Sequence, residues 1–241
     1  MDEQRIALIT GANKGIGFAV AKGLGDLGWT VGVGARDARA GEEAAERLRH
    51  GGADAFVVRL DVTAEMTVAA AAQNLTERFG QIDALINNAG VVGPWPDQPT
   101  TLQANDVSRV LDTNVLGVIR TTNAFLPLLR RSEHPRVVNQ SSHVGSLTLQ
   151  SERGDDFGAP SGAYAPSKTF STALTVQYAR ELAGTNVLVN AACPGYVATE
   201  LNGFTGLQTP EVGAQVAIRL ATLPDDGPRG LVFDADDPVP W

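Results

Sequence analysis

Short apolar runs alternate with longer amphipathic segments along the chain, and this alternation most constrains the fold. Runs such as 5–10 (RIALIT) and 55–60 (AFVVRL) are apolar at nearly every position, which is typical of strands buried on both faces of a sheet. The pattern predicts βαβ units in a parallel sheet that is covered by helices on both faces. The predicted strands are 5–10, 30–35, 55–60, 83–87, 136–141, 186–191 and 231–233, and the predicted helices are 16–27, 38–49, 64–79, 103–129, 162–182 and 210–223.

The composition indicates one globular domain. The 241 residues are 43% hydrophobic and 19% charged, which is enough apolar material for a sizeable core, so residues 1–241 are predicted to form a single domain. A formal net charge of −8 argues against binding to nucleic acid. One cysteine and three scattered histidines exclude an internal disulfide and give no indication of a metal centre.

The sequence contains no segment that resembles a secretory signal or a membrane span. The N-terminal residues lack an apolar stretch, and the longest charge-free span, 182–199, contains Asn186, Asn190 and Pro194. We therefore expect a cytoplasmic protein with no membrane association, whose partners are small molecules.

A glycine-rich turn follows the first predicted strand directly. In this turn Gly11 permits a sharp bend, Gly15 lets the backbone approach a pyrophosphate, and Gly17 allows close packing of the next helix on the strand. The N-terminus of that helix then faces the anion. The turn predicts dinucleotide binding, with an ordinary strand-to-helix turn as the alternative. Its full sequence is Thr10-Gly11-Ala12-Asn13-Lys14-Gly15-Ile16-Gly17.

A tyrosine and a lysine stand four residues apart at the start of a predicted helix. Tyr164 and Lys168 therefore share one helix face. Reduction of a carbonyl by hydride transfer requires a proton for the developing alkoxide, and a phenol donates one well only if its anion is stabilised. A nearby ammonium supplies that stabilisation. The chain has three tyrosines and three lysines, so chance does not account for a pair at this spacing.

These motifs together resemble the short-chain dehydrogenase/reductase family. The glycines are spaced G-x-x-x-G-x-G behind Thr10, and the Tyr164/Lys168 pair has the spacing of that family. The resemblance implies a single Rossmann-type doubly wound parallel sheet with helices on both faces. Further matches extend it over nearly the whole chain: Asp61-Val62, Asn87-Asn88-Ala89-Gly90, Asn114, Ser141-Ser142 and 190–199.

The resemblance implies four catalytic residues. Ser142 would hold the substrate oxygen by a hydrogen bond, and Tyr164 would protonate it. Asn114 would bind a water linked to Lys168. Lys168 would also hold the hydroxyls of the nicotinamide ribose.

The second predicted strand ends near the expected adenosine ribose, where the sequence reads Ala35-Arg36-Asp37. Arg36 can stack on adenine and contact a 2′-phosphate, and Lys14 can reach the same anion. Asp37 would favour NAD if it contacted the ribose, but its position predicts a cap for the helix that follows. We therefore expect NADP(H) as cofactor.

The resemblance supplies the remaining cofactor contacts. Asp61 would contact the adenine amino group, residues 88–90 would border the adenine ribose, and Thr199 would contact the nicotinamide carboxamide. The expected cofactor-binding residues are Gly11, Asn13, Lys14, Gly15, Ile16, Gly17, Arg36, Asp61, Val62, Asn88, Ala89, Gly90, Tyr164, Lys168, Pro194, Gly195, Val197 and Thr199.

Within the family, the residues of several motifs are most similar to those of the monomeric carbonyl reductases. Asn13-Lys14 and the residues around Cys193-Pro194-Gly195 carry this likeness. Members of that branch have a long insertion before the catalytic tyrosine that covers the usual subunit interface. Here 22 positions separate Ser142 from Tyr164, a short insertion, so a monomer and a small homo-oligomer both remain open.

The expected function is NADPH-dependent reduction of a ketone or aldehyde, or oxidation of a secondary alcohol. A hydrolase lacks its G-x-S-x-G turn here, and a P-loop phosphotransferase lacks its Gly-Lys-Ser/Thr triplet. The sequence after Thr199 is too short for the extra domain of an extended epimerase or dehydratase. The remaining alternative is a non-catalytic NADP sensor or scaffold, which predicts a damaged Ser, Tyr or Lys.

Residues in loops at strand ends predict an apolar substrate pocket. The stretches 90–101 and 146–161 each follow a predicted strand, and the carboxyl ends of parallel strands border the ligand crevice. Gly203 and Gly206 flank Phe204 and would give this segment the backbone freedom to close as a lid, but the sequence does not determine whether it closes. The expected lining residues are Trp95, Pro94, His143, Leu147, Tyr196 and Phe204.

Overall fold

The computed structural model describes residues 4–94, 97–235 and 237–241, with the side chains of 155 and 156 excepted. Within these residues, seven strands form one parallel sheet in the order β3-β2-β1-β4-β5-β6-β7. The predicted doubly wound α/β fold is therefore confirmed. The strands are β1 (Ile6–Thr10), β2 (Thr30–Ala35), β3 (Ala55–Arg59), β4 (Ala84–Asn87), β5 (Arg136–Gln140), β6 (Leu188–Ala192) and β7 (Val232–Phe233).

The predicted helices are present, and their outer ends lie within two residues of the predicted ones. The second helix begins at Ala38 because Asp37 caps its N-terminus. The Asp37 side chain accepts hydrogen bonds from the backbone N–H groups of Arg39 and Ala40 at 2.9 and 3.1 Å. The helices are α1 (Gly15–Asp26), α2 (Ala38–His50), α3 (Glu65–Phe79), α4 (Ala104–Leu111), α5 (Gly117–Leu129), α6 (Leu147–Arg153), α7 (Tyr164–Glu181) and α8 (Pro210–Ala221).

Two apolar cores lie on opposite faces of the sheet. The first packs α1, α2 and α8 against one face, with Val20 and Leu24 of α1 fully buried. The second packs α3, α5 and α7 against the other face, with Leu75 and Phe125 fully buried. Strands β1, β3, β4, β5 and β6 contribute to both cores because successive side chains point to opposite faces. Within the described ranges, no helix combines the length and the apolar character needed to cross a membrane.

The topology creates a crevice at one edge of the sheet. The chain passes from β1 through β2 to β3 and then returns to place β4 on the other side of β1. Ligands of open α/β sheets bind outside the carboxyl ends of the strands at such a reversal. Here the glycine-rich turn follows β1 and residues 88–90 follow β4, so both lie at this edge.

Two segments differ from their predictions. The predicted helix 103–129 is interrupted by a π-helical turn over Asp112–Leu116, which separates α4 from α5. The predicted irregular stretch 146–161 contains α6, which Ser146 starts by accepting a hydrogen bond from the backbone N–H of Leu149 at 3.1 Å. A capped segment of seven residues is too short to show helical periodicity in the sequence.

Candidate active site

The glycine-rich turn has the backbone geometry that an anion site requires. Gly11 and Gly15 adopt positive φ angles of 64° and 57°, which other residues rarely adopt. A Cβ atom on Gly17 would lie 2.7 Å from the carbonyl oxygen of Gly11, so no larger residue fits there. Lys14 is the N-cap of α1, and its side chain makes no capping hydrogen bond. The first N–H groups of α1 are therefore left for a ligand.

The segment 88–90 connects this turn to the catalytic residues. The Asn88 amide donates to the carbonyl oxygens of Thr10 and Gly11 at 2.9 and 3.2 Å. A Cβ atom on Gly11 would lie 3.0 Å from the Cα of Ala89, and one on Gly90 would lie 3.8 Å from the Lys168 Nζ. The segment thus contacts the turn at one end and the lysine at the other.

At the end of β2, basic side chains lie near Asp61. Arg36 is exposed, and its charge acts on Asp61. Burial raises the pKa of Asp61, but the hydrogen bonds from Thr63 and the charges of Arg36 and Arg120 outweigh burial and lower this pKa below its usual value. Val62 beside Asp61 is buried. This edge can therefore present both a carboxylate and a guanidinium to an adenosine.

Lys14 forms an ion pair that the sequence did not predict. Its ammonium contacts the Glu200 carboxylate, and both side chains are 58% exposed. The pair joins the glycine-rich turn to the loop after β6, and Gly15 lies against Thr199 at the same junction. Because an exposed pair is worth little, Lys14 can exchange this partner for a phosphate.

Ser142, Tyr164 and Lys168 meet next to residues 88–90. Tyr164 is the first residue of α7, and its phenol hydrogen bonds to the side chain of Ser142, two residues after the end of β5. The Lys168 Nζ lies 5.6 Å from the centre of the Tyr164 ring and donates a 2.6 Å hydrogen bond to the backbone oxygen of Gln140. The structure therefore brings the three predicted residues into one site.

The electrostatics of the pair differ from the sequence expectation. Burial raises the pKa of Tyr164 to about 12, and a smaller electrostatic contribution from nearby Cys193 acts in the same direction. The hydrogen bond from Ser142 opposes this rise. Burial also lowers the pKa of Lys168 to about 8. The expectation that Lys168 makes the phenol more acidic is wrong for this arrangement, because the ammonium is directed to the Gln140 carbonyl and both groups are desolvated.

Asn114 lies in the π-helical turn between α4 and α5, a distortion that often occurs at functional sites. Its Nδ2 donates to the Val91 carbonyl and to the Ser167 hydroxyl, both at 2.9 Å, and its Oδ1 accepts from the Val91 N–H at 2.8 Å. Both amide N–H groups are thus used within the protein. The side chain joins the loop after β4 to the helix that carries Tyr164 and Lys168.

Asp97 is a functional candidate that no sequence pattern indicated. Its carboxylate is buried and accepts hydrogen bonds from the backbone N–H groups of Ala163 and Tyr164 at 3.2 Å and from the Ser161 hydroxyl. It thereby caps the N-terminus of α7 and fixes the residue that carries the phenol. Only tertiary structure brings these groups together, since they are 64 to 67 positions apart.

The loop after β6 closes the other side of the site. Gly195 has a positive φ of 79°, and Val197 is buried against α8. Thr199 begins a short 3₁₀ turn, Glu200–Asn202, through a reciprocal cap with Asn202. Cys193 is buried, and burial raises the pKa of its thiol to about 12, so it is a neutral neighbour of Lys168.

The structure brings one of the expected pocket-lining residues to a cleft. His143 pairs with Asp234 at 3.0 Å and lines a cleft of about 380 Å³. Leu147, Tyr196 and Phe204 are 61%, 53% and 65% exposed, and Trp95 lies outside the described residues. Pro94 is also exposed. The other residues that line the cleft are Leu149, Arg153, Phe157, Pro238, Val239 and Pro240.

Comparison with known proteins identifies the family. The profile described as short chain dehydrogenase matches residues 5–209. Salutaridine reductase of Papaver bracteatum is 32% identical (98% of this chain, 96% of that protein), and carbonyl reductase [NADPH] 1 of Mus musculus is 31% identical (98% of each). A gluconate 5-dehydrogenase from Burkholderia cenocepacia J2315, solved in complex with NADP and tartrate, superposes with a TM-score of 0.84 at 26% identity, covering 96% of this chain and 93% of that one. The chain belongs to the short-chain dehydrogenase/reductase family of oxidoreductases.

Proposed function

We propose that the protein is an NADPH-dependent carbonyl reductase that acts on small ketones or aldehydes. The observation that carries this proposal is the convergence of Ser142, Tyr164 and Lys168 on the segment that also supports the glycine-rich turn. A non-catalytic scaffold gives no reason for all three side chains to be present and in contact. The names of the two curated relatives, both reductases, support the same reaction class.

The residues of the crevice fit a dinucleotide. The positive φ angles of Gly11 and Gly15 and the uncapped N-terminus of α1 form a backbone cradle for a pyrophosphate. Asp61 and the segment 88–90 are available to the adenosine, and Pro194, Gly195, Val197 and Thr199 to the nicotinamide. Asn13 and Ile16 lie in the cradle, and Ile16 packs against the first core.

Residues of the chain itself would orient the substrate oxygen and deliver a proton to it. NADPH, when bound, would supply the hydride for the carbonyl carbon. Ser142 orients the carbonyl oxygen, and Tyr164 donates its proton to that oxygen. With a pKa of about 12, the phenol remains protonated at neutral pH, which suits an acid in the reducing direction. Lys168 would hold the ribose and return a proton to the Tyr164 phenolate. Asn114 positions α7.

The experiment that tests the reaction class is a panel of ketones, aldehydes and quinones with NADPH oxidation followed by absorbance. The same panel with NADH tests the cofactor. Turnover of at least one carbonyl compound is expected, with NADPH preferred. Tight NADPH binding without turnover of any compound would favour the non-catalytic scaffold.

The Arg36→Asp variant is expected to reverse the cofactor preference. Arg36 is exposed at the end of β2, where it can pair with a 2′-phosphate, whereas an aspartate there repels the phosphate and accepts the ribose hydroxyls. A charge-assisted hydrogen bond contributes about 1.5–3 kcal/mol, so the ratio of kcat/KM for NADPH over NADH should fall about ten- to a hundredfold. Steady-state kinetics with both cofactors measures this ratio.

Arg39→Asp is the matched control, because it makes the same charge change three positions further along the chain, in the first turn of α2. Arg39 is also exposed, and its side chain pairs with Glu43. Its ratio should stay close to that of the wild type. An equal change in both variants would assign the effect to net charge and would contradict a specific role for Arg36.

The lowered pKa of Lys168 predicts that the enzyme loses activity in mild alkali. Its pKa is lowered to about 8 because burial disfavours the charged form, so the ammonium is present below that pH and lost above it. Above pH 8, kcat/KM for NADPH, which reports on the free enzyme, should therefore fall about tenfold per pH unit. Thermal unfolding at each pH excludes denaturation. A profile that stays flat well above pH 8 would show that the Lys168 charge is not required.

A further inference from the structure

Gln140 carries a buried amide that has no hydrogen-bond partner. It is the last residue of β5, its residue surface is 7% exposed, and neither its Nε2 nor its Oε1 is bonded. In the described part of the chain, the Ser171 hydroxyl is the other buried side-chain group of this kind. Native proteins pair nearly all buried polar groups because an unpaired one is costly. The amide of Gln140 therefore indicates a ligand contact.

The neighbours of Gln140 on β5 show which face its side chain occupies. The Asn139 side chain bonds to Asn87 and, at 2.9 Å, to Thr175 of α7. Ser141 bonds to Thr172 of the same helix at 3.1 Å. Because successive strand residues point to opposite faces, Gln140 points away from α7, toward the face that carries α1 and the glycine-rich turn.

The position of Gln140 along β5 places the amide in the crevice. Asn139 is in register with Asn87, so the neighbour of Gln140 on the β4 side is Asn88, which holds the glycine-rich turn. On the other side Gln140 is in register with Ala192, two residues before Pro194. Its backbone oxygen binds the Lys168 ammonium at 2.6 Å. The amide thus lies between the pyrophosphate cradle and the loop after β6, while the backbone of the same residue holds the catalytic lysine on the other face of the sheet.

We propose that the side-chain amide of Gln140 binds the nicotinamide half of the cofactor. The amide offers one acceptor and two donated hydrogens, and the nicotinamide nucleotide presents both kinds of partner in its carboxamide and its ribose hydroxyls. The adenosine end is served by the β2 and β3 edge, on the far side of the glycine-rich turn. The proposal rests on the proposed function and adds a contact to it.

The test is Gln140→Met, which keeps the size of the side chain and removes the amide. We expect the Kd for NADPH, measured by calorimetry, to rise about tenfold, as two lost neutral hydrogen bonds imply. The Kd for adenosine 2′,5′-bisphosphate, which lacks the nicotinamide half, should not change. The melting temperature of the cofactor-free protein should rise by about 2–4 °C, because an unpaired buried amide is replaced by an apolar group.

Ser171→Ala is the matched control, since it also removes a buried unpaired polar group but lies on α7, across the sheet. It should leave both Kd values unchanged. An unchanged NADPH Kd in Gln140→Met would overturn the proposal, as would an equal weakening of adenosine 2′,5′-bisphosphate, which would reveal a disturbed glycine-rich turn. Failure of the wild type to bind NADPH would instead contradict the proposed cofactor itself.

Discussion

Replacement of Tyr164 by phenylalanine is expected to lower kcat for carbonyl reduction by about 10²–10⁴-fold, the usual contribution of a general acid. The phenol hydrogen bonds to Ser142 and is the proton donor of the proposed mechanism, and the change removes only its oxygen. The Kd for NADPH should stay within about twofold, because the lost group acts on the substrate oxygen. Stopped-flow measurement of a single turnover separates the chemical step from product release.

Tyr178→Phe provides a matched control on the same helix. The Tyr178 hydroxyl donates to Asn123 at 2.8 Å, on the outer part of α7, so its loss removes a phenol without touching the site. Its kcat should equal that of the wild type. Substantial turnover by Tyr164→Phe would show that another group delivers the proton and would defeat the proposed mechanism.

The fold was predictable because it depends on local patterns. The run Ile6–Thr10 is buried on both faces, and a sequence shows such burial directly as continuous apolar character. The glycine-rich turn and the Tyr164/Lys168 pair were also accessible, since each places its chemistry within eight consecutive residues. The role of Asp37 as a helix cap was predicted for the same reason and is confirmed.

The parts of the site that escaped prediction depend on contacts between distant segments. The Lys14/Glu200 ion pair joins residues 186 positions apart, and no local pattern marks either partner. The pKa of Tyr164 depends on how deeply α7 is buried against β5, which spacing does not reveal. In the sequence Gln140 is simply one polar residue in a predicted strand. Only the hydrogen bonds of its two neighbours to α7 show that its own side chain points to the other face, toward the crevice.

Asp97→Ala is expected to reduce both stability and kcat. The buried carboxylate accepts hydrogen bonds from Ala163, Tyr164 and Ser161, and alanine leaves these donors unpaired at the start of α7. A loss of about 3 kcal/mol in the free energy of unfolding corresponds to a melting temperature lower by about 6–12 °C in a chain of this size. Because Tyr164 is then held less firmly, kcat should fall about tenfold while KM changes little. Calorimetry and steady-state kinetics measure the two effects.

Asp83→Ala separates positioning from stability. Asp83 and Asp97 are both 5% exposed, and Asp83 likewise accepts from a backbone N–H, that of Ile6 at 2.7 Å, and from a serine hydroxyl, that of Ser132 at 2.5 Å. Asp83 precedes β4 at the end of the sheet opposite the crevice, so its loss should lower the melting temperature but leave kcat unchanged. Asp97→Asn, which keeps one acceptor oxygen, should recover part of kcat. Equal kcat values for Asp97→Ala and the wild type would show that α7 holds Tyr164 without this cap.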